Sequence, residues 1–510
     1  MQSIVNTFGR VLRRSLKSLP PLQPHRDLRL QLAWNYTQLG LLLLPFSSLL
    51  GVLACLVGAI MVWRQRFRQM ITQPINWGFG LLSLLMLISA ALAHLPQDAL
   101  LGLFNFLPFF FGFAALSELI QTPAQLRRLA WLMVVPSVLV VLIGFAQLAW
   151  GWLGHQQIVH VQILWIVIDW VIDPNGTPPS RMSAVLTYAN VLANYLVITF
   201  ILGLGLWIET MLGERREARG KGLGARGWGL GKNGETADQS AICNLQSAIS
   251  NLRFHKILLT SAVLLNVAAL VLTNSRNAWA IVIVACLIYG LYLGWRWLLL
   301  GAGALAGAVL GAAFAPSPIR EGLRAIVPAF FWARLTDQLY PNRPIPTLRI
   351  TQWQFALSLT QQRPWIGWGL RNFNPLYEAQ THFDLGHPHN LPLMLLCETG
   401  IPATLLFLGL VGWMVFRGLV LLWSFNSSRF PLFSGRQGSR FQRNQRRDRL
   451  ILFSFLLAFL SNTVFNLFDI TLFDARMNLM GWIVLAGIWG VSKREEGGRR
   501  REEGEMRKEK

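Results

Sequence analysis

Apolar blocks and short polar or basic segments alternate along the whole chain. Blocks of about 20 residues or more, enough to cross a hydrocarbon core of roughly 30 Å, fall at 32 to 63, 76 to 93, 100 to 119, 129 to 150, 183 to 207, 257 to 273, 277 to 294, 297 to 314, 391 to 423, 450 to 468 and 474 to 491. The first block is too long for one span, and both of its flanks, the N-terminal arm and "RQRFR", are basic. Basic flanks belong on the cytoplasmic side, so two short helices meeting near Pro45, Ser47 and Ser48 return the chain to the side it left. With that hairpin the pattern predicts an all-α polytopic membrane protein of about twelve transmembrane helices.

The segments between blocks give a topology and a division of the chain. Residues 1–31 form a basic arm whose Ile4, Phe8, Val11, Leu12 and Leu16 recur at helical spacing, which suits an amphipathic segment on anionic lipid. No cleavable signal peptide is evident. Residues 32–207 hold the N-terminal transmembrane helices. A Gly-rich, charged loop at 208–256 carries the near-repeat "QSAICNL" and "QSAISNL", and 257–491 forms a second transmembrane region. The mixed-charge tail 492–510 is expected to be disordered. Twelve spans put Arg127 and Arg128, the 208–256 loop, Arg296, the 424–449 loop and both termini inside. The same count puts 151–182, "TNSRN", 315–390 and "FDITLFD" outside.

Composition sharpens this picture. The chain is 53% hydrophobic and 14% charged, with a net charge of +22. Its Lys and Arg residues cluster between apolar blocks, which argues against nucleic acid as a partner and for cytoplasmic loops beside membrane lipids. Cys55, Cys243, Cys286 and Cys397 lack metal-ligand spacing, so neither a zinc site nor a disulfide framework is expected.

The external segment 315–390 departs from the loop pattern. It holds seven arginines (Arg320, Arg324, Arg334, Arg343, Arg349, Arg363 and Arg371) and no lysine. Guanidinium groups suit bidentate recognition of phosphate and carboxylate, and also attract lipid headgroups. Amphipathic helices are expected within this loop. In "TLRITQWQFALSLTQ", Leu348, Trp353 or Ile350, Leu357 and Leu359 would give a helix one apolar face, lying along the membrane or plugging the external end of the bundle. Arg276, in the turn "LTNSRNAWA", and Arg181, in "RMSAVLTYANVLANYL", flank spans on the same side. Each is either an end-anchor or part of a cationic bowl.

The stretch "GHPHNLPLMLLCETGIPATLLFLGL" concentrates polar groups ahead of an apolar run. His389 is the candidate general base, because only histidine has an unperturbed pKa near physiological pH. Asn390 could orient a sugar hydroxyl or cap the helix. His387 lies two residues from His389, so the pair would not share a helix face, and no helical metal site is expected. Glu398 would face away from His389 on a continuous helix. Gly400 and Pro402 instead suggest a half-helix over 391–399 before a full span.

This stretch, with "RMSAVLTYANVLANYLV", "LTNSRNAW" and "RITQWQFALSLTQQRPWIGWGLRNF", resembles the O-antigen ligase and polymerase superfamily. Its signature is matched by His389, Asn390 and Gly400, with Ala403 a departure. The resemblance implies glycosyl transfer on the outer leaflet of a bacterial plasma membrane. The donor would be a polyprenyl-diphosphate-linked glycan and the acceptor a glycan, lipid or protein hydroxyl, with no metal or other cofactor. By the same resemblance His389 deprotonates the acceptor while Arg276 and Arg181 hold the diphosphate. Arg349, Asn390, His387 and Glu398 complete the substrate-binding candidates. The rival class is a transporter or flippase, which would place polar residues near mid-membrane in two comparable halves. No such repeat is evident, and the polar residues gather on one face.

Overall fold

The computed structural model describes residues 25–150, 156–163, 166–172, 176–186, 188–224, 239–336, 344–427 and 436–508. The basic arm expected at 1–31 therefore lies outside the described residues except for its last seven positions. Helices α1 (Gln31–Leu43), α2 (Ser48–Ile71), α3 (Pro74–Ala91), α4 (Pro96–Leu103), α5 (Leu107–Leu119) and α6 (Pro123–Trp150) precede a hairpin of β1 (Gln156–Ile163) and β2 (Ile166–Ile172). After it come α7 (Ala189–Gly224), α8 (Gln239–Leu272), α9 (Arg276–Leu293) and α10 (Arg296–Phe314). The external segment holds α11 (Ile319–Ile326), α12 (Ala329–Leu335), α13 (Arg349–Gln362) and α14 (Phe373–Thr381), and the chain closes with α15 (Leu391–Ser427), α16 (Arg436–Asn466) and α17 (Ala475–Lys508).

Among the described residues, nine helical segments are long and apolar enough to cross a membrane. Each of the twelve expected spans coincides with helix, but three fall short of that standard. Helix α1 has 13 residues, which at 1.5 Å each reach only about 20 Å. Helix α10 is apolar over Leu299–Phe314 alone, and α17 begins with the polar, buried Arg476 and Asn478. The break between α1 and α2 falls where the pattern put it, with the Ser47 hydroxyl accepting the Leu50 N–H at 3.3 Å to cap α2.

Four expectations need correction. The fold is not purely helical, because the segment 151–182 contains the antiparallel β1–β2 pair, whose β-branched Val and Ile favour strands. The 208–256 stretch is helical at both ends: α7 runs on to Gly224 and α8 begins at Gln239. The 424–449 loop is likewise shortened by α15 and α16. The tail is helical through Lys508 rather than disordered. All three helical extensions are rich in Arg, Glu, Gln, Lys or Ala, which have high helix propensity and let a span propagate beyond the bilayer.

Helix α7 is the axis of the bundle, with 89% of its span buried. Around it pack α6, α8, α9, α16 and α17. Buried polar groups tie these helices together. Asn194 donates to Asn462 at 2.8 Å and to Thr471 at 2.7 Å, and Asn266 donates to Thr199 at 3.1 Å. Outer helices expose large apolar side chains such as Trp77, Leu84, Ile283, Leu305 and Phe416, as lipid-facing surfaces do.

Helix α15 is broken at Gly400 (φ 79°, ψ 169°), dividing it as the sequence suggested. A break inside a span frees backbone groups that hydrocarbon cannot satisfy. Here the loop after α13 satisfies them: Trp368 N–H donates to Cys397 O at 2.9 Å, Gly369 N–H to Glu398 O at 2.8 Å, and Ile401 N–H to Pro364 O at 2.8 Å. Close approach requires glycine on both sides. A Cβ on Gly367 would lie 2.4 Å from Glu398 C, and one on Gly400 would lie 2.4 Å from Trp365 O.

Candidate functional site

The short segment between α14 and α15 carries both candidate histidines, and its neighbours hold it in place. Asn374 of α14 accepts the Leu385 and Gly386 N–H groups at 3.0 and 2.7 Å. Trp353 of α13 donates its indole N–H to Pro388 O at 3.1 Å. Asn390 caps α15, its Oδ1 accepting the Leu393 N–H at 3.0 Å, while its Nδ2 donates to Leu467 O at 3.1 Å. His389 adopts a left-handed backbone conformation (φ 52°), and its N–H donates to His387 Nδ1 at 3.2 Å.

These contacts aim His389 at the turn between α16 and α17. Its Nδ1 lies 3.0 Å from Asp469 Oδ1. Asp469 is buried, and its other oxygen accepts from Asn190 Nδ2. The Asn190 oxygen accepts in turn from Arg181, whose Nε donates to Thr273 O at 2.7 Å. A chain of contacts thus runs from Arg181 through Asn190 and Asp469 to His389. Burial alone would raise the Asp469 carboxyl, but the hydrogen bond and charge of His389 prevail and hold it below the usual carboxylate value. An ionised Asp469 can only accept, so His389 donates to it from Nδ1, which leaves Nε2 as the ring atom that can take up a proton.

His387 stands edge-on to His389, with ring centroids 4.5 Å apart, and stacks on Phe473 at 5.6 Å. Burial, followed by the nearby His389, pushes its pKa down to about 4, which makes it neutral at physiological pH. The Arg349 charge acts on both His387 and Asp469. His387, His389 and Asp469 each offer one ligand atom within 4.8 Å of the others, close enough to hold a metal ion. Arg349 opposes a dication there by like-charge repulsion.

His387, His389 and Asp469 line a cavity of about 880 Å³, together with Asn190, Asp474 and Arg476. Apolar groups complete the lining, among them Leu49, Val52 and Leu53 of α2, Phe104, and Pro108 and Phe109 of α5. The lining thus combines groups that can hydrogen-bond and titrate with groups suited to hydrocarbon.

The sequence-derived candidates meet this cavity unequally. His389 and His387 line it, Arg349 acts on it electrostatically, Arg181 reaches it through Asn190, and Asn390 caps the adjoining helix. Arg276 is exposed at the start of α9, three positions beyond the Thr273 carbonyl that Arg181 contacts, and does not line the cavity. Glu398 also stays outside it: the side chain is 3% exposed, and one oxygen accepts the Phe373 N–H at 3.2 Å at the start of α14. Sequence reasoning missed Asp469, Asn190 and the Asp474–Arg476 ion pair, whose Nη2 and Oδ2 lie 2.6 Å apart. The available signal was two aspartates bracketing the apolar turn "FDITLFD" and Asn190 inside the quoted "TYANVLANYL".

Residues 261–408 match the O-antigen ligase family model. The matched region runs from α8 into α15 and includes Arg276, Arg349, His387, His389, Asn390 and Glu398. Arg181, Asn190 and Asp469 lie beyond it. No curated protein matches the chain.

Proposed function

Starting from an O-antigen ligase domain over residues 261–408, we propose that this protein transfers a glycan from a polyprenyl-diphosphate carrier to an acceptor hydroxyl at the external membrane face. The observation that carries the reading is the 3.0 Å contact between His389 Nδ1 and Asp469, set in a cavity that is also lined by apolar side chains. The polyprenyl tail lies along Leu49, Val52, Leu53 and Phe104, which brings the reactive sugar carbon to the polar side. His389 Nε2 accepts the proton of the acceptor hydroxyl as its oxygen bonds to the sugar carbon. The bond from that carbon to the diphosphate oxygen breaks and the lipid diphosphate departs. Asp469 stabilises the imidazolium formed at His389, while Arg349 stabilises charge on the departing diphosphate. Arg181 and Asn190 orient Asp469, and the exposed Arg276 at the start of α9 meets the diphosphate of the approaching donor.

The scheme draws its proton transfer and charge stabilisation from His389, Asp469 and Arg349 and calls on no metal. With twelve crossings both chain ends lie in the cytoplasm and residues 315–390 lie outside. The test is purified protein in lipid with a polyprenyl-diphosphate glycan and a panel of acceptor hydroxyls, with product followed by mass spectrometry. Transfer by the wild type that is absent in a folded, membrane-inserted His389→Ala variant is expected. Undiminished transfer by that variant would overturn the assignment.

A further inference from the structure

A second polar cavity, of about 720 Å³, is lined by Arg26, Arg29, Arg66 and Arg494 together with Asp27 and Glu118. It lies at the far end of the bundle from the histidines. Helix α2 contributes Ser48 to the histidine cavity and Arg66 to this one, and α17 likewise contributes Arg476 and Arg494. On each helix the separation is roughly 27 Å at 1.5 Å per residue, close to the thickness of a hydrocarbon core. The two cavities therefore sit at opposite membrane interfaces.

This basin is built into the fold. His25 is buried, and its ring nitrogens contact Leu119 O at 3.0 Å and Asp27 O at 2.9 Å, which fastens residues 25–30 over the ends of α2 and α5. Both carboxylates are already engaged: Asp27 pairs with Arg66, and Glu118 with Lys493 at 2.5 Å. Arg26 and Arg494 have no carboxylate partner among the described residues, and Arg29 shares Asp27 with Arg66. The cationic excess thus faces the cavity. Leu28, which lines the basin, is 79% exposed.

We infer that this basin binds the phosphate of an anionic phospholipid, with Arg26, Arg29 and Arg494 on the headgroup and Leu28 beside the acyl chains. A phosphodiester supplies the missing negative charge, and guanidinium groups suit its oxygens. The exposed Leu28 favours a lipid over a free phosphate, which would leave that side chain without an apolar partner. The site does not depend on the transfer reaction, so binding and activity report on separate claims.

The test is native mass spectrometry of the full chain in detergent, titrated separately with phosphatidylglycerol, phosphatidylcholine and inorganic phosphate. One phosphatidylglycerol retained at saturation, bound at least about tenfold more tightly than phosphatidylcholine, is expected. Arg26→Gln/Arg29→Gln/Arg494→Gln should abolish that preference, and the single Arg494→Gln variant, which preserves the Asp27–Arg66 and Glu118–Lys493 pairs, should weaken it severalfold. Arg64→Gln/Arg68→Gln alters exposed arginines on α2 outside the basin and should retain the preference. Equal loss in this control would overturn the proposal in favour of general surface charge. Unchanged preference in Arg494→Gln and the triple variant would overturn the site, and saturable binding of phosphate without phosphatidylglycerol would overturn the lipid assignment.

Discussion

At the scale of single residues, the proposed chemistry turns on a bond between positions 80 apart in sequence. His389 is conspicuous in the sequence because a polar group before a span invites explanation, whereas Asp469 sits in an apolar turn and shows its role only when α16 brings it back. Asp469→Asn preserves the shape but not the charge that fixes the Nδ1 proton and stabilises imidazolium. It should lower kcat by about 10²–10⁴-fold, with little change in KM, as read by initial rates over donor concentration. His387 offers a prediction in pH. Its folded pKa of about 4 lies below the ordinary histidine value of 6.5, so the unfolded chain binds the extra proton in between. Stability from this group is full above about pH 6.5 and is lost as pH falls through about 4. Thermal melts between pH 4 and 7 should therefore decline less steeply in His387→Gln than in the wild type.

At the scale of elements, the broken helix α15 positions the site. Its first half begins at the Asn390 cap, directly after His389, and its break is splinted by the Pro364–Gly369 loop. Gly400→Ala places a Cβ against Trp365 O on a backbone at φ 79°. The strain should cost at least about 2 kcal/mol, read as a lowered Tm in detergent. Gly409→Ala, on the same helix with open space around the added carbon, should change Tm little. The break was legible in the sequence from Gly400 and Pro402, because local backbone preference is a local property. The splint was not, since the pairing of Trp368 and Gly369 with Cys397 and Glu398 carbonyls depends on how α13 packs against α15. That packing also splits the expected apolar face of α13: Leu359 is buried beside Gln352 and Ala356, while Ile350 and Leu357 are exposed.

At the scale of the whole molecule, α2 and α17 connect two chemically distinct ends, a histidine cavity and an arginine basin. In a background with Cys243→Ser, cysteine introduced at exposed Gln380 should react with a membrane-impermeant maleimide on intact cells, and cysteine at exposed Arg64 only after permeabilisation. The reverse pattern would invert the proposed orientation. The sequence by itself determined the helical membrane class, the order of its apolar helices and the hairpin at Ser47, because apolar length and local capping are properties of contiguous residues. It also marked His389, Asn390 and several arginines, since polar groups beside spans are costly enough to stand out. Only the tertiary structure decided that Asp469 and Asn190 join His389 while Glu398 turns away to cap α14. Those outcomes depend on side chains from distant segments meeting across helix interfaces, and no local pattern encodes that distance.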